Sequence, residues 1–104
     1  MRKRGASDGY LLQLWRKAVM KRWHGKCIVC GAMTDLDCNH IIKRRVRLLR
    51  YDPDNGVPVC RMRQSPYAVG KSCHQWAESL DGLEYIRELV GLSVWHKLRG
   101  RENL

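Results

Sequence analysis

A chain of 104 residues is one domain by size and can bury only a modest core. Its 20 Lys and Arg against 10 Asp and Glu give a net charge of +10, which favours a polyanionic partner over a neutral small molecule. There is no run of about 18 apolar residues, and the opening MRKRGASDGY has no apolar signal-peptide core, so the expectation is a cytoplasmic chain with no membrane partner.

The first element in chain order is a helix within residues 1–25. In GYLLQLWRKAVMKRW, Leu11, Leu14, Trp15, Ala18 and Val19 recur at helical spacing, with Ser7 or Asp8 placed to cap and Gly25 to stop it. Arg16, Lys17 and Lys21 on its other side read first as a solvated face and second as a phosphate contact. Residues 26–79 hold every cysteine and most turn formers. There MTDLDCNHII reads as one strand, and GVPVC as a second after the Asp52-Pro53-Asp54-Asn55-Gly56 turn. In residues 80–104, Asp81 is placed to cap a helix with Leu83, Ile86, Leu89 and Val90 inward, and Ser93 to start a last turn or two ending near Gly100. The fold class is therefore α+β, with terminal helices packed on a stapled centre. Trp15, Trp23, Trp76 and Trp95 read as core packing before base stacking.

Five cysteines, an odd count that includes a C-x-x-C pair in a reducing compartment, point to metal ligation rather than disulfides. Cys27-Ile28-Val29-Cys30-Gly31 has the spacing of a zinc knuckle, in which two thiolates reach one ion and the glycine permits the tight turn. Cys60 and Cys73 are the candidates for the second pair, although twelve residues separate them. That insert, RMRQSPYAVGKS, contains Ser65-Pro66 and Gly70 and can loop out. With Arg61, Arg63 and Lys71 it is either a plain surface loop or a basic finger. Cys38 is left over and reads as a small buried strand residue.

The order NHII, then Asn55 after fourteen intervening residues, then Cys60, then CHQWAE, all downstream of C-x-x-C, resembles the HNH endonuclease family over roughly residues 27–78. The stretch HIIKRR…RYDPDN is also similar to the small phage-encoded recombination nucleases of that superfamily. The resemblance implies a ββα-metal core and a phosphodiester hydrolase acting on DNA, leaving 5′-phosphate and 3′-hydroxyl ends. It implies His40 as general base, for which a neutral imidazole at pH 7 is suited. Asn55 would hold the histidine-bearing loop, while also being an ordinary turn residue. His74 would bind a catalytic Mg²⁺ or Mn²⁺, with Glu78 one helical turn later.

Where the family usually carries an acidic or histidine ligand before the general base, this chain has Asn39, a poorer ligand for a hard cation. Asp37 would reach the site only if the strand bends or bulges. Lys43, Arg44, Arg45, Arg47 and Arg50 occupy the loop that would meet the phosphate backbone, with Val46, Leu48 and Leu49 anchoring it. Cutting both strands would require a homodimer or two nicks. The alternative is a non-catalytic zinc-stapled module that binds DNA or RNA.

Overall fold

The computed structural model describes residues 7–62 and 65–102. It is a small compact α+β arrangement of two antiparallel strands and four α-helices among the described residues. None of these helices is long and apolar enough to cross a membrane.

Helix α1 spans Asp8–Arg22, and the Ser7 side chain caps it by accepting from the Tyr10 N–H. Gly25, at φ +64°, closes the end by donating to the Met20 carbonyl. The buried stripe is Leu12, Trp15 and Val19, whereas Leu14 is 43% exposed and Leu11 and Ala18 are half-buried. The expected face is thus rotated, because α1 docks through Trp15 and Val19 against Gly56. A Cβ at Gly56 would lie 2.6 Å from both side chains, so a glycine is what lets the helix settle there. The Trp15 indole N–H fixes the same face by donating to the Asp52 carbonyl at 2.9 Å.

The expected strand over MTDLDCNHII is much shorter. Strand β1 is Leu36–Asn39, pairing antiparallel with β2, Val57–Cys60, in the register Leu36 to Cys60 and Asn39 to Val57. Asp35, at φ +56°, turns the chain just before β1. At the other end Ile41 and Ile42 leave the ladder for the core, because the Asn55 side chain takes both backbone groups of Ile42. Pro58 is tolerated in β2 because a two-stranded ladder has a free edge on each strand.

After the insert, the short helix α2, Cys73–Ala77, starts in a capping box formed by Ser72 and Gln75. Helix α3, Leu80–Val90, is capped by Ser79 rather than Asp81, which lies in its first turn. Gly82 and Ile86 form its buried face; Leu83 and Val90 are half-buried and Leu89 is exposed. The close packing of α2 on α3 depends on Gly82, since a Cβ there would come within 2.0 Å of the Trp76 carbonyl oxygen. Helix α4, Leu92–Glu102, runs three turns, longer than the one or two expected from Ser93. Its Lys97 lies 3.2 Å from Asp52 and also pairs with Asp54, and Arg101 lies 3.8 Å from Asp52. These pairs tie α4 to the turn Pro53–Asn55, to which Arg22 of α1 also binds through Asp54. The central core gathers Val57, Val59, Leu49, Trp76, Ile86 and Leu98 around the cysteines.

Candidate metal centre and histidine cleft

The knuckle turn places the Cys27 sulfur where the backbone N–H groups of Val29 and Cys30 both reach it, at 3.4 and 3.5 Å. Gly31, at φ +80°, returns its N–H to the Cys27 carbonyl. Strand β2 ends on Cys60 and α2 begins on Cys73. The ligand atoms of Cys27, Cys30, Cys60 and Cys73 all lie within 4.8 Å of one another, with Cys30 and Cys60 at 3.4 Å. Four sulfurs about 2.3 Å from a central zinc would stand about 3.8 Å apart, so this set fits such an ion. The insert that separates Cys60 from Cys73 closes on itself, Ser65 N–H donating to the Lys71 carbonyl at 2.7 Å. Tyr67 within it lies 4.9 Å from the Trp76 ring. Arg63 of the expected basic finger lies outside the described residues.

Thiol chemistry around this cluster is divided. Burial pushes the Cys27 thiol up, but N–H groups from Cys30 and Val29 outweigh it and bring the pKa down to about 7. Cys73 is driven up to about 12, first by burial and then by its neighbours Cys30 and Cys27, and Cys60 moves the same way for the same reasons. The Cys27 thiolate is thus favoured, and those of Cys60 and Cys73 are resisted unless a cation compensates them. Cys38 stands apart: half-buried, it points its sulfur at the Arg16 carbonyl 3.7 Å away, and burial raises its pKa to about 11.

His40 leaves β1 and lies flat on Trp15, the ring centroids 3.9 Å apart and the planes 5° from parallel. Its Nε2 is 2.9 Å from the Arg50 carbonyl. A carbonyl only accepts, so Nε2 carries the hydrogen and Nδ1 is left with the lone pair. Burial holds the His40 pKa below its ordinary value near 6.5; the Arg50 carbonyl pulls it back up, and the charges of Arg44, Arg16 and Arg50 add to the depression. The sign for stability follows. Above pH 6.5 the ring is neutral in both folded and unfolded chains, so its full contribution is present; below that value the unfolded chain takes the proton first and stability falls. Chemical denaturation at about pH 7 and about pH 5.5 is expected to show a larger loss in the wild type than in His40→Gln. Equal losses would contradict the depressed value.

The Asn55 side chain is fully buried. Its oxygen accepts from Ile42 N–H at 2.7 Å, and its amide donates to the carbonyls of Ile42 and Leu49, both at 3.0 Å. Asn55 therefore clamps both ends of the segment between His40 and the turn Arg47–Leu49.

A cleft of about 180 Å³ is lined by Asn39, His40, Lys43, Glu78, Trp95 and Arg99, with an apolar floor. His74, on α2, has Nε2 3.8 Å from Glu78, and its Nδ1 is buried with no hydrogen-bond partner among the described residues. Asp37 does not join this group. Strand β1 runs without a bulge, and the Asp37 carboxylate lies 3.5 Å from Arg61 Nε. The sequence-expected set is thus brought together at Asn39, His40 and Glu78, with His74 beside Glu78 and Asp37 held elsewhere.

Within the basic loop, Lys43, Arg45 and Arg47 are exposed, and no carboxylate pairs with them among the described residues. Arg44 and Arg50 are committed to Asp8 at 3.3 and 3.4 Å, and Tyr51 donates to the same carboxylate. The loop is anchored by Leu49, which is fully buried, and by half-buried Val46; Leu48, expected as an anchor, is 56% exposed because the turn Arg47–Leu49 points it outward. Asp8, Trp15 and Arg99 are the parts of this region that sequence reasoning missed. Asp8 was legible only as a candidate helix cap and Trp15 only as core, and nothing local marks Arg99.

The fold and this geometry define a small α+β protein whose four clustered cysteines can hold a metal ion such as zinc. Compared with family models, curated proteins and solved structures, the chain matches none.

Proposed function

We propose that the protein is a metal-dependent endonuclease of the HNH class that hydrolyses phosphodiester bonds in DNA. The observation that carries this reading is the state of His40. Its ring is stacked on Trp15, its Nε2 hydrogen is spent on the Arg50 carbonyl, and its pKa is held below the ordinary value, on a cleft shared with Asn39 and Glu78. A neutral imidazole with one oriented free nitrogen is what a general base needs to take a proton from an attacking water. Asn39, Glu78 and His74 supply oxygen and nitrogen donors for Mg²⁺ or Mn²⁺, and such a cation would stabilise the negative charge that develops on the phosphate and the departing oxygen. Asn55 keeps the histidine-bearing loop in place. Zinc on the four cysteines would hold β2, α2 and the knuckle together behind the cleft, and Lys43, Arg45 and Arg47 would bind backbone phosphates without reading sequence.

A second reading, a non-catalytic zinc-stapled module that binds DNA or RNA, is favoured by one feature. Glu78 is the only carboxylate lining the cleft among the described residues, because Asp37 is tied to Arg61. Plasmid nicking with Mg²⁺ or Mn²⁺ separates the two. Wild-type protein is expected to nick, and His40→Ala to lose about 10²- to 10⁴-fold in rate, the usual worth of a general base. Cleavage that survives His40→Ala, or is absent from wild type that still binds DNA, would overturn the nuclease reading.

A further inference from the structure

The sequence gives α4 no role beyond packing, yet Trp95 and Arg99 line the same cleft as His40 and Glu78. The geometry points to Arg99 as a phosphate-binding residue of that cleft, gripping the nucleic-acid backbone from α4 as the basic loop does from β1. This rests on the nuclease reading above and adds to it a second arm of the DNA interface.

Three observations support the assignment. Lys97 and Arg101 stand one helical turn apart on a shared face, which ion pairs with Asp52 and Asp54 anchor. Residues two positions away on a helix lie on nearly opposite sides, so Arg99 projects away from that anchored face while the anchors hold the helix still. Trp95, four residues earlier and so on the same side as Arg99, carries the Arg99 guanidinium over its ring at 5.8 Å. That cation–π contact helps hold the guanidinium beside the cleft, and a guanidinium can bind phosphate in bidentate fashion. Lys43 and Arg99 are also the two permanent cations lining a cleft that contains the Glu78 carboxylate. A phosphodiester entering beside His40 must be neutralised there, and Arg99 is the arginine positioned to do it.

The test measures binding of zinc-loaded protein to a short fluorescent DNA duplex over a range of salt, with no added Mg²⁺ or Mn²⁺. Arg99→Gln is expected to weaken binding about tenfold and to lower the salt slope by about one unit. Arg99→Lys should keep the slope and recover part of the affinity, as the charge remains without the planar fork. An unchanged slope in Arg99→Gln, in wild type that nicks plasmid, would overturn this inference alone. So would a weakening that Arg99→Lys shares in full and that follows a lowered unfolding midpoint, because Arg99 would then serve the fold. Wild type that binds DNA without nicking ends the nuclease reading, and the slope then still decides whether Arg99 holds phosphate.

Discussion

Zinc-loaded protein treated with a strong chelator is expected to lose its cooperative unfolding transition altogether. The reason lies in where the four cysteines sit. Cys27, Cys60 and Cys73 are buried in the central core beside Val57, Val59 and Trp76, not hung on its surface. They also join three segments far apart in the chain: the knuckle, the end of β2 and the start of α2. Metal binding to such a site contributes folding free energy of about 10–16 kcal/mol in apparent terms, against a net stability of about 5–15 kcal/mol for an ordinary domain. Without the ion, a set of thiols with Cys27 near 7 and Cys73 near 12 cannot all ionise, and packing is left to a small core. Because the thiols must shed protons to bind metal, affinity should fall as pH falls. Metal analysis is expected to give one zinc per chain, Cys60→Ser to abolish it, and Cys38→Ser to leave it unchanged, since Cys38 faces the Arg16 carbonyl. Metal-free protein that melts cooperatively at the zinc-loaded temperature would refute the cluster's role.

What could be read from the sequence follows how local each cause is. The metal cluster was legible because C-x-x-C-G sets its own turn, and because Ser65 and Gly70 let a long insert fold back. Helix α1 was legible as a helix but not in its phase. Leu11, Leu12 and Leu14 offer several apolar faces, and the choice is made by Gly56, more than thirty residues away. Ile41 and Ile42 look like strand by composition, yet they leave the ladder because a buried asparagine from a distant turn captures them. The same holds for charges. That Asp8 would hold Arg44 and Arg50, that Asp37 would be taken by Arg61, and that Lys97 and Arg101 would bind Asp52 are facts of distance between remote segments. Spacing alone does not say which acid each of these bases meets.

Replacing Asn55 with alanine is expected to cost about 3–5 kcal/mol of stability, at the severe end for a single substitution. The change leaves the buried N–H and carbonyl of Ile42 without partners and takes from the Leu49 carbonyl one of its two donors, the other being Asp52 N–H, and each orphaned group costs about 1–3 kcal/mol. Denaturant unfolding of zinc-loaded protein would measure it, and a loss below about 1 kcal/mol would show that water replaces the amide. Asn55→Asp adds a sharper test of the same geometry. One carboxylate oxygen still accepts from Ile42, but the other faces two carbonyl oxygens where an amide had donated, so the acid is favoured in its protonated form and its folded pKa rises. A group whose folded pKa is raised contributes its stability below its unfolded value and loses it as pH increases. Asn55→Asp should therefore grow more stable relative to wild type as pH falls from about 7 to about 5, opposite in direction to the effect of His40. On the nuclease reading, if Asn55 matters only by holding the loop that carries His40, nicking should fall in both variants with DNA binding retained, because Lys43, Arg45 and Arg99 would reach the phosphates from the surface.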